Sequence, residues 1–167
     1  MKIYTPISTK DIDGLCVGDK IYISGTILCG RDAVLPKIVA ELDNGNTDFQ
    51  TLVDGAVVFH TAVSVAGVGP TSSNKLEIES SILPLSKHGV RIHLGKGQLH
   101  QETIDGLKKY GSIYCVIPPV TALLNDKTVS QELLAYPELG MEALYRLEIR
   151  DYPAIVAIAH GESIYGQ

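Results

Sequence analysis

Apolar and polar residues alternate at both ends of this chain and fall into helical spacing in its middle, and that change of period is the first guide to its architecture. Residues 1–8 alternate as an extended segment. After the turn signal GLCVGD at 14–19, KIYISGTIL sets Ile21, Ile23 and Gly25 opposite Tyr22, Ser24 and Thr26, the period of a strand. AVLPKIVAELDNG then spaces Ala33, Ile38, Val39 and Leu42 for one helical face, with a stop at Asn44-Gly45. Pro36 has to sit near the start of that helix, because deeper inside it would remove a backbone donor and clash with the preceding turn.

Residues 56–62 read as a second, buried strand, with SVAGVGP as the loop that leaves it. NKLEIESSILPLSKHG places Leu76, Ser80 and Leu83 at helical spacing, with Ser72 or Ser73 as N-cap and Pro84 and Gly89 at the end. RIHLGKGQL is a short strand running into a glycine loop. QETIDGLKKYG is a small helix stopped at Gly111, and SIYCVIP is a strand ending at Pro118-Pro119. The tail carries extended segments around 129–135, 144–150 and 154–160, with turns near Pro137 and Asp151 and no long helix between them. Strand–helix alternation favours parallel pairing and consecutive strands favour antiparallel pairing. The expectation is one α/β domain over 1–167, with one mainly parallel and one antiparallel sheet plus helices.

Composition narrows the function more than the fold. With 45% apolar and 20% charged residues the chain has a globular make-up, and its formal charge of −5 offers no basic stripe for nucleic acid. No run approaches the roughly 20 apolar residues that span a bilayer, and the N-terminus lacks a signal-peptide core, so a soluble, cytoplasmic protein is expected. Cys16, Cys29 and Cys115 sit in GLCVG, ILCGR and IYCVI without metal-ligand spacing and read as buried free thiols. His60, His88, His93, His100 and His160 form no HxH or HExxH pattern. Glu138 and Glu142, four apart in PELGMEALYRLEI, read as part of a structural turn entering a strand.

Three places join a strand end to a glycine-containing loop and carry a cation or hydroxyls: GRD at 30–32, GPTSSNK at 69–75 and LGKGQ at 94–98. In parallel α/β sheets ligand sites gather at such loops. Arg31 fits either a planar fork for a carboxylate or an ion pair with Asp32 or a surface carboxylate. GPTSSNK fits either a serine N-cap or an anion seat, since capping uses one hydroxyl and three are present. Lys96, between two glycines, is either a ligand contact or a solvated turn lysine, and the P-loop spacing is absent.

Taken together, GDKIYISGTILCGRDA, VGPTSSNKL, LGKGQL and ELGMEALYRLEIRDYPAIV resemble the beta subunit, or C-terminal domain, of the class I fumarate hydratase and L(+)-tartrate dehydratase family. The resemblance covers about residues 11 to 160. It implies a swivelling β/β/α domain and an iron–sulfur-dependent hydro-lyase that reversibly dehydrates a hydroxy dicarboxylate, malate to fumarate or tartrate to oxaloacetate. It also implies a [4Fe–4S] cluster held by a partner alpha subunit, a hetero- or homo-oligomer, and no metal on this chain. Residue by residue, it makes Arg31 a carboxylate grip, Thr71 the proton-transfer residue, and Lys75 and Lys96 carboxylate contacts, with Ser72 in the place of a second threonine.

Two positions depart from the family pattern. Leu35-Pro36 stands where relatives commonly show GRDxAH, so a histidine is missing, and Lys75 puts a point charge where an arginine fork is usual. These departures motivate an alternative, a stand-alone dicarboxylate-binding or regulatory module without a catalytic partner.

Overall fold

The computed structural model describes residues 1–64, 67–71, 75–117, 124 and 126–165, and for 62–64, 67–71 and 75–78 the backbone alone. Ten strands are described: β1 (Lys2–Tyr4), β2 (Lys20–Cys29), β3 (Val57–Phe59), β4 (Thr61–Ser64), β5 (Gly67–Thr71), β6 (Ile92–Gly95), β7 (Ile113–Val116), β8 (Thr128–Ala135), β9 (Leu144–Ala159) and β10 (Glu162–Ser163). Five α-helices join them: α1 (Thr9–Asp13), α2 (Leu35–Asp43), α3 (Thr47–Val53), α4 (Lys75–Lys87) and α5 (Gln101–Tyr110), with a 3-10 turn at Pro137–Glu142.

Eight strands form one sheet of mixed orientation, and β4 and β5 pair as a separate hairpin. The parallel part runs β1–β2–β3–β6–β7. The long β9 then pairs antiparallel with both β7 and β2, so that β2, β3, β6, β7 and β9 form a ring. The parallel and antiparallel parts expected as two sheets are thus two arcs of one sheet, because β9 has 16 residues and reaches both.

Strand alternation sorts the side chains. Ile21, Ile23, Ile27, Val57, Phe59, Ile92, Leu94, Ile113 and Leu147 point into the ring and are almost wholly excluded from water. Leu28 and Val58 face outward under Leu35, Ile38 and Leu42 of α2 and Leu85 of α4, while Tyr114 and Ile158 lie under Ile104 and Leu107 of α5. β2, β3 and β7 therefore carry apolar side chains on both faces, as a covered parallel sheet requires, whereas β6 turns His93 and Gly95 outward.

Several elements differ from the pattern reading. The segments at 144–150 and 154–160 are one strand, interrupted by a bulge where Asp151 takes φ 52 and donates its N–H to Ser24 Oγ at 2.9 Å. The inward residues change phase across it, from Leu147 and Ile149 to Tyr152, Ala154 and Val156, and a phase break in an alternating pattern looks like a turn. Pro84 does not end α4, which runs on to Lys87. Burial of Ile82, Leu85 and Ser86 against the sheet outweighs the roughly 3 kcal/mol that an internal proline costs. SVAGVGP is not a loop, since most of it belongs to the β4–β5 hairpin, with Thr61 opposite Thr71 and Val63 opposite Val68. Cys29 and Cys115 are buried as expected, but Cys16 is exposed in the turn before β2. The short helices α1 and α3 carry too few residues to show a helical period; each is marked by its cap, Ser8 with Asp11 and Asn46 with Asp48 and Phe49. Pro36 sits in the first turn of α2, and Gly111 closes α5 at φ 72.

Candidate functional site

The parallel strands end side by side. The ladder places Cys29 beside Phe59 and Phe59 beside Leu94, with Gly95 beside Val116. Gly30 N–H then donates to the Phe59 carbonyl at 3.1 Å and His60 N–H to that of Leu94 at 3.0 Å, so Arg31, the β4–β5 hairpin and Lys96 all leave the same carboxyl edge. The GRD and GKG loops lie two strand spacings apart, about 10 Å between backbones. The hairpin rises between them from β3, and its last residue is Thr71, opposite Thr61.

Arg31 occupies the turn from β2 into α2, where its carbonyl accepts from Val34 N–H at 3.2 Å and Leu35 N–H at 2.9 Å. Gly30 before it has no room for a side chain, since a Cβ there would come within 2.7 Å of Val34 Cγ1. The guanidinium Nε lies 3.8 Å from Asp32 Oδ1 and 3.7 Å from Glu142 Oε1. Both separations are too long for hydrogen bonds, and all three atoms are buried without a hydrogen-bond partner among the described residues. Arg31 is therefore ion-paired with Asp32 and Glu142 at the strand edge.

Lys96 is exposed and makes no ion pair among the described residues. Lys75 is the first residue of α4, so its backbone places it where the hairpin hands over to that helix. The side chains of Thr71 and Lys75 lie outside the described residues, and so does Ser72 entirely. A hollow of about 410 Å³ lined by Thr5, Thr26, Asp48, Thr51, Asp54 and Arg146 contains none of these residues.

The pattern reading missed four polar residues near this edge. Glu142 is brought against Arg31 by the 3-10 turn. His60 and His93 meet on the outer face with tilted rings, His60 Nε2 lying 3.0 Å from His93 Nδ1 and His93 Nε2 2.8 Å from Ser86 Oγ of α4. Burial pushes His60 down to about 4, and burial followed by the neighbouring His60 lowers His93, so both rings are neutral near pH 7. Tyr114 is wholly buried and its hydroxyl finds no hydrogen-bond partner among the described residues, while burial first and then Tyr165, Cys115 and Glu79 hold it protonated. The signal for the two histidines was present as a polar ring inside the apolar runs VVFH and RIHL; no local pattern announces that they meet.

Metal ligation was tested on the thiols. Cys29 and Cys115 point into the ring, where burial raises both thiols far above their usual range, and Cys16 lies apart from them. Among the described residues no group of three or more His, Cys, Asp or Glu side chains is arranged to hold a metal ion. These cysteines do not fit as ligands of an iron–sulfur cluster.

The profile described as Fumarase C-terminus matches residues 1–167. The chain belongs to that family. It is 29% identical to the putative L(+)-tartrate dehydratase subunit beta of Methanocaldococcus jannaschii over 97% of this chain and 89% of the relative. Identity is also 29% to the L(+)-tartrate dehydratase subunit beta of Escherichia coli K12, over 98% of this chain and 85% of the relative. The aerobic class I fumarate hydratase of the same strain is 29% identical over 85% of this chain but only 27% of its own length. This fumarase C-terminus chain thus spans about a quarter of the class I fumarate hydratases and most of the tartrate dehydratase beta subunits. Among the described residues no helix is long and apolar enough to cross a membrane.

Proposed function

We propose that this chain is the beta subunit of an iron–sulfur-dependent hydro-lyase that reversibly dehydrates a hydroxy dicarboxylate, with a swivelling β/β/α fold and an alpha subunit as partner. The observation that carries the reading is the common carboxyl edge, from which the Arg31 turn, the hairpin ending in Thr71 and the Lys96 loop all emerge. The near full-length match to two proteins named as beta subunits supports a separate partner. The [4Fe–4S] cluster belongs to that partner, in keeping with the misfit of this chain's own cysteines.

The work of this chain is then electrostatic and positional. Arg31 and Lys96, about 10 Å apart at the backbone, reach inward to opposite carboxylates of a small diacid, with Lys75 and Ser72 completing the grip. Asp32 and Glu142 lie along the Nε edge of Arg31 and leave its terminal amino groups to form the carboxylate fork. Dehydration breaks a C–H bond, passes its electron pair into the new double bond and releases hydroxide from the neighbouring carbon. Thr71 takes that proton as base or relay, an assignment that requires the surrounding cations and the α4 N-terminus to favour its ionised form.

Co-expression with a cognate iron–sulfur alpha subunit under anaerobic conditions tests this directly. Turnover of L-malate or L-tartrate is expected; an intact cluster with no turnover on any hydroxy dicarboxylate rejects the proposal.

A further inference from the structure

The loop that carries Lys96 is tied down at its far end by a carboxylate from another helix. Glu79 lies in α4; its Oε1 accepts from His100 N–H and, at 3.0 Å, from Thr103 Oγ1, while His100 Nδ1 meets its Oε2. Only 9% of the Glu79 side chain is exposed. His100 is the N-cap of α5, so Thr103 is the third residue of that helix. In a capping box the third residue is itself a Glu or Gln that reaches back to the N-cap N–H; here it is Thr103, and α4 supplies the carboxylate instead. A cap made within α5 would steady α5 alone. Made from α4, it fixes one helix against the other, and with them the chain that enters α5.

The register of the two helices shows what this cap holds. Gly106 of α5 is closed upon Leu83 of α4, since a Cβ at Gly106 would come within 2.5 Å of Leu83 Cδ2. One turn earlier in α4 stands Glu79, against His100 and Thr103, so the two helices advance in the same direction. One turn earlier again is Lys75, the first residue of α4, about 6 Å along the helix axis from Glu79 and toward the carboxyl edge. The loop into α5 is fixed at its other end by the sheet, where Gly95 pairs with Val116, and Leu99 packs with Ile82, Ile104 and Leu107. Gly97 turns between these anchors at φ 88, and Lys96 is left exposed. A long lysine side chain keeps much of its rotamer freedom in water, so what the fold can set is where its stem begins. We infer that Glu79 is a positioning residue for acid binding: by capping α5 from α4 it fixes the backbone of Lys96 relative to that of Lys75, and so sets the spacing of two cations of the clamp. This rests on the reading of the edge as a dicarboxylate clamp and names the side chain that holds two of its parts in register.

Succinate carries two carboxylates and has no hydroxyl to lose, so calorimetry with it follows the grip without turnover. On the complex of the full chain with its alpha partner, Lys96→Ala should weaken succinate binding about 20-fold and Glu79→Ala about tenfold. The two changes together should weaken it no more than about twofold beyond Lys96→Ala alone, because Glu79 acts through Lys96. A Glu79 that serves only to hold the fold together would instead multiply its effect onto that of Lys96→Ala. Glu79→Gln keeps the shape of the side chain and one acceptor oxygen; it should weaken binding about threefold, and the same cycle is run with it where Glu79→Ala does not fold. Effects that multiply in the double variant, or Glu79 variants that bind succinate as the unmodified chain does, overturn the inference while the clamp reading stands. Undiminished binding by Lys96→Ala, or no binding by the unmodified complex, overturns the clamp reading and this inference with it.

Discussion

The inside of the ring and the outer face at its carboxyl edge are lined by the same strands but obey different rules. Inward positions are aliphatic or aromatic almost without exception, from Ile21, Ile23 and Ile27 to Phe59, which meets Tyr152 edge-on at 6.3 Å between ring centres. Outward positions near the edge hold His60, His93 and Tyr114, with Ser86 of α4 bonded to His93, all buried. An apolar interior needs only volume and period. A buried polar face needs partners, and among the described residues the places where partners are missing, at His60, Tyr114 and the Arg31–Asp32–Glu142 cluster, lie toward the carboxyl edge. The same strands thus turn an apolar face inward and, near the edge, a buried polar face outward.

Breaking the inner face should cost most. Phe59→Ala removes a fully buried ring and is expected to lower unfolding free energy by about 3–5 kcal/mol in urea titration. Dicarboxylate affinity per folded molecule should be retained, because no clamp residue loses a contact.

The outer face should show itself in pH dependence. His60 is held near 4 in the folded chain against an unfolded value of 6.5, so the unfolded state binds the proton more readily between these values. Stability contributed by the neutral ring is therefore complete above pH 6.5 and lost as pH falls to about 4, a change of about 3 kcal/mol for this group. His93, lowered for the same reason, steepens the fall. Urea midpoints measured between pH 7 and 4 should decline accordingly, and a His60→Gln chain should decline less.

At the junction of the two regions, Gly30→Ala would press a methyl group against Val34 and Leu35 at the start of α2. About 1–3 kcal/mol of destabilisation is expected, together with weaker acid binding, because the displaced turn carries Arg31. The smallest effect belongs to an exposed ion pair: Arg146 and Glu132 pair across β8 and β9 with both side chains exposed, so Glu132→Ala should change stability by less than about 1 kcal/mol.

Much of the fold was legible in the chain because its elements announce themselves locally. The β2 alternation, the Pro36 start and Asn44-Gly45 stop of α2, and the Gly111 stop of α5 all lie where their residues predict. What was not legible depends on contacts distant in sequence. The bulge at Asp151 lies inside the β2–β9 pairing, between the pairs Ile23–Tyr152 and Gly25–Ile149, and nothing near Asp151 encodes that shift of register. The same holds at the edge. Arg31 and Lys96 stand out as cations in glycine loops, whereas Glu142 reaches Arg31 across more than a hundred residues of chain, and His60 meets His93 only when β3 lies beside β6.

If the carboxyl edge is the proposed dicarboxylate clamp, Arg31 is the residue whose loss it should tolerate least. The direct measurement is kcat/KM for L-malate and L-tartrate by the complex with its iron–sulfur alpha subunit, comparing the unmodified chain with Arg31→Ala at matched cluster content. A fall of about 100-fold or more, with the urea midpoint little changed, is the predicted result. Full activity in Arg31→Ala would contradict the clamp and leave Arg31 as the ion-pair partner of Asp32 and Glu142.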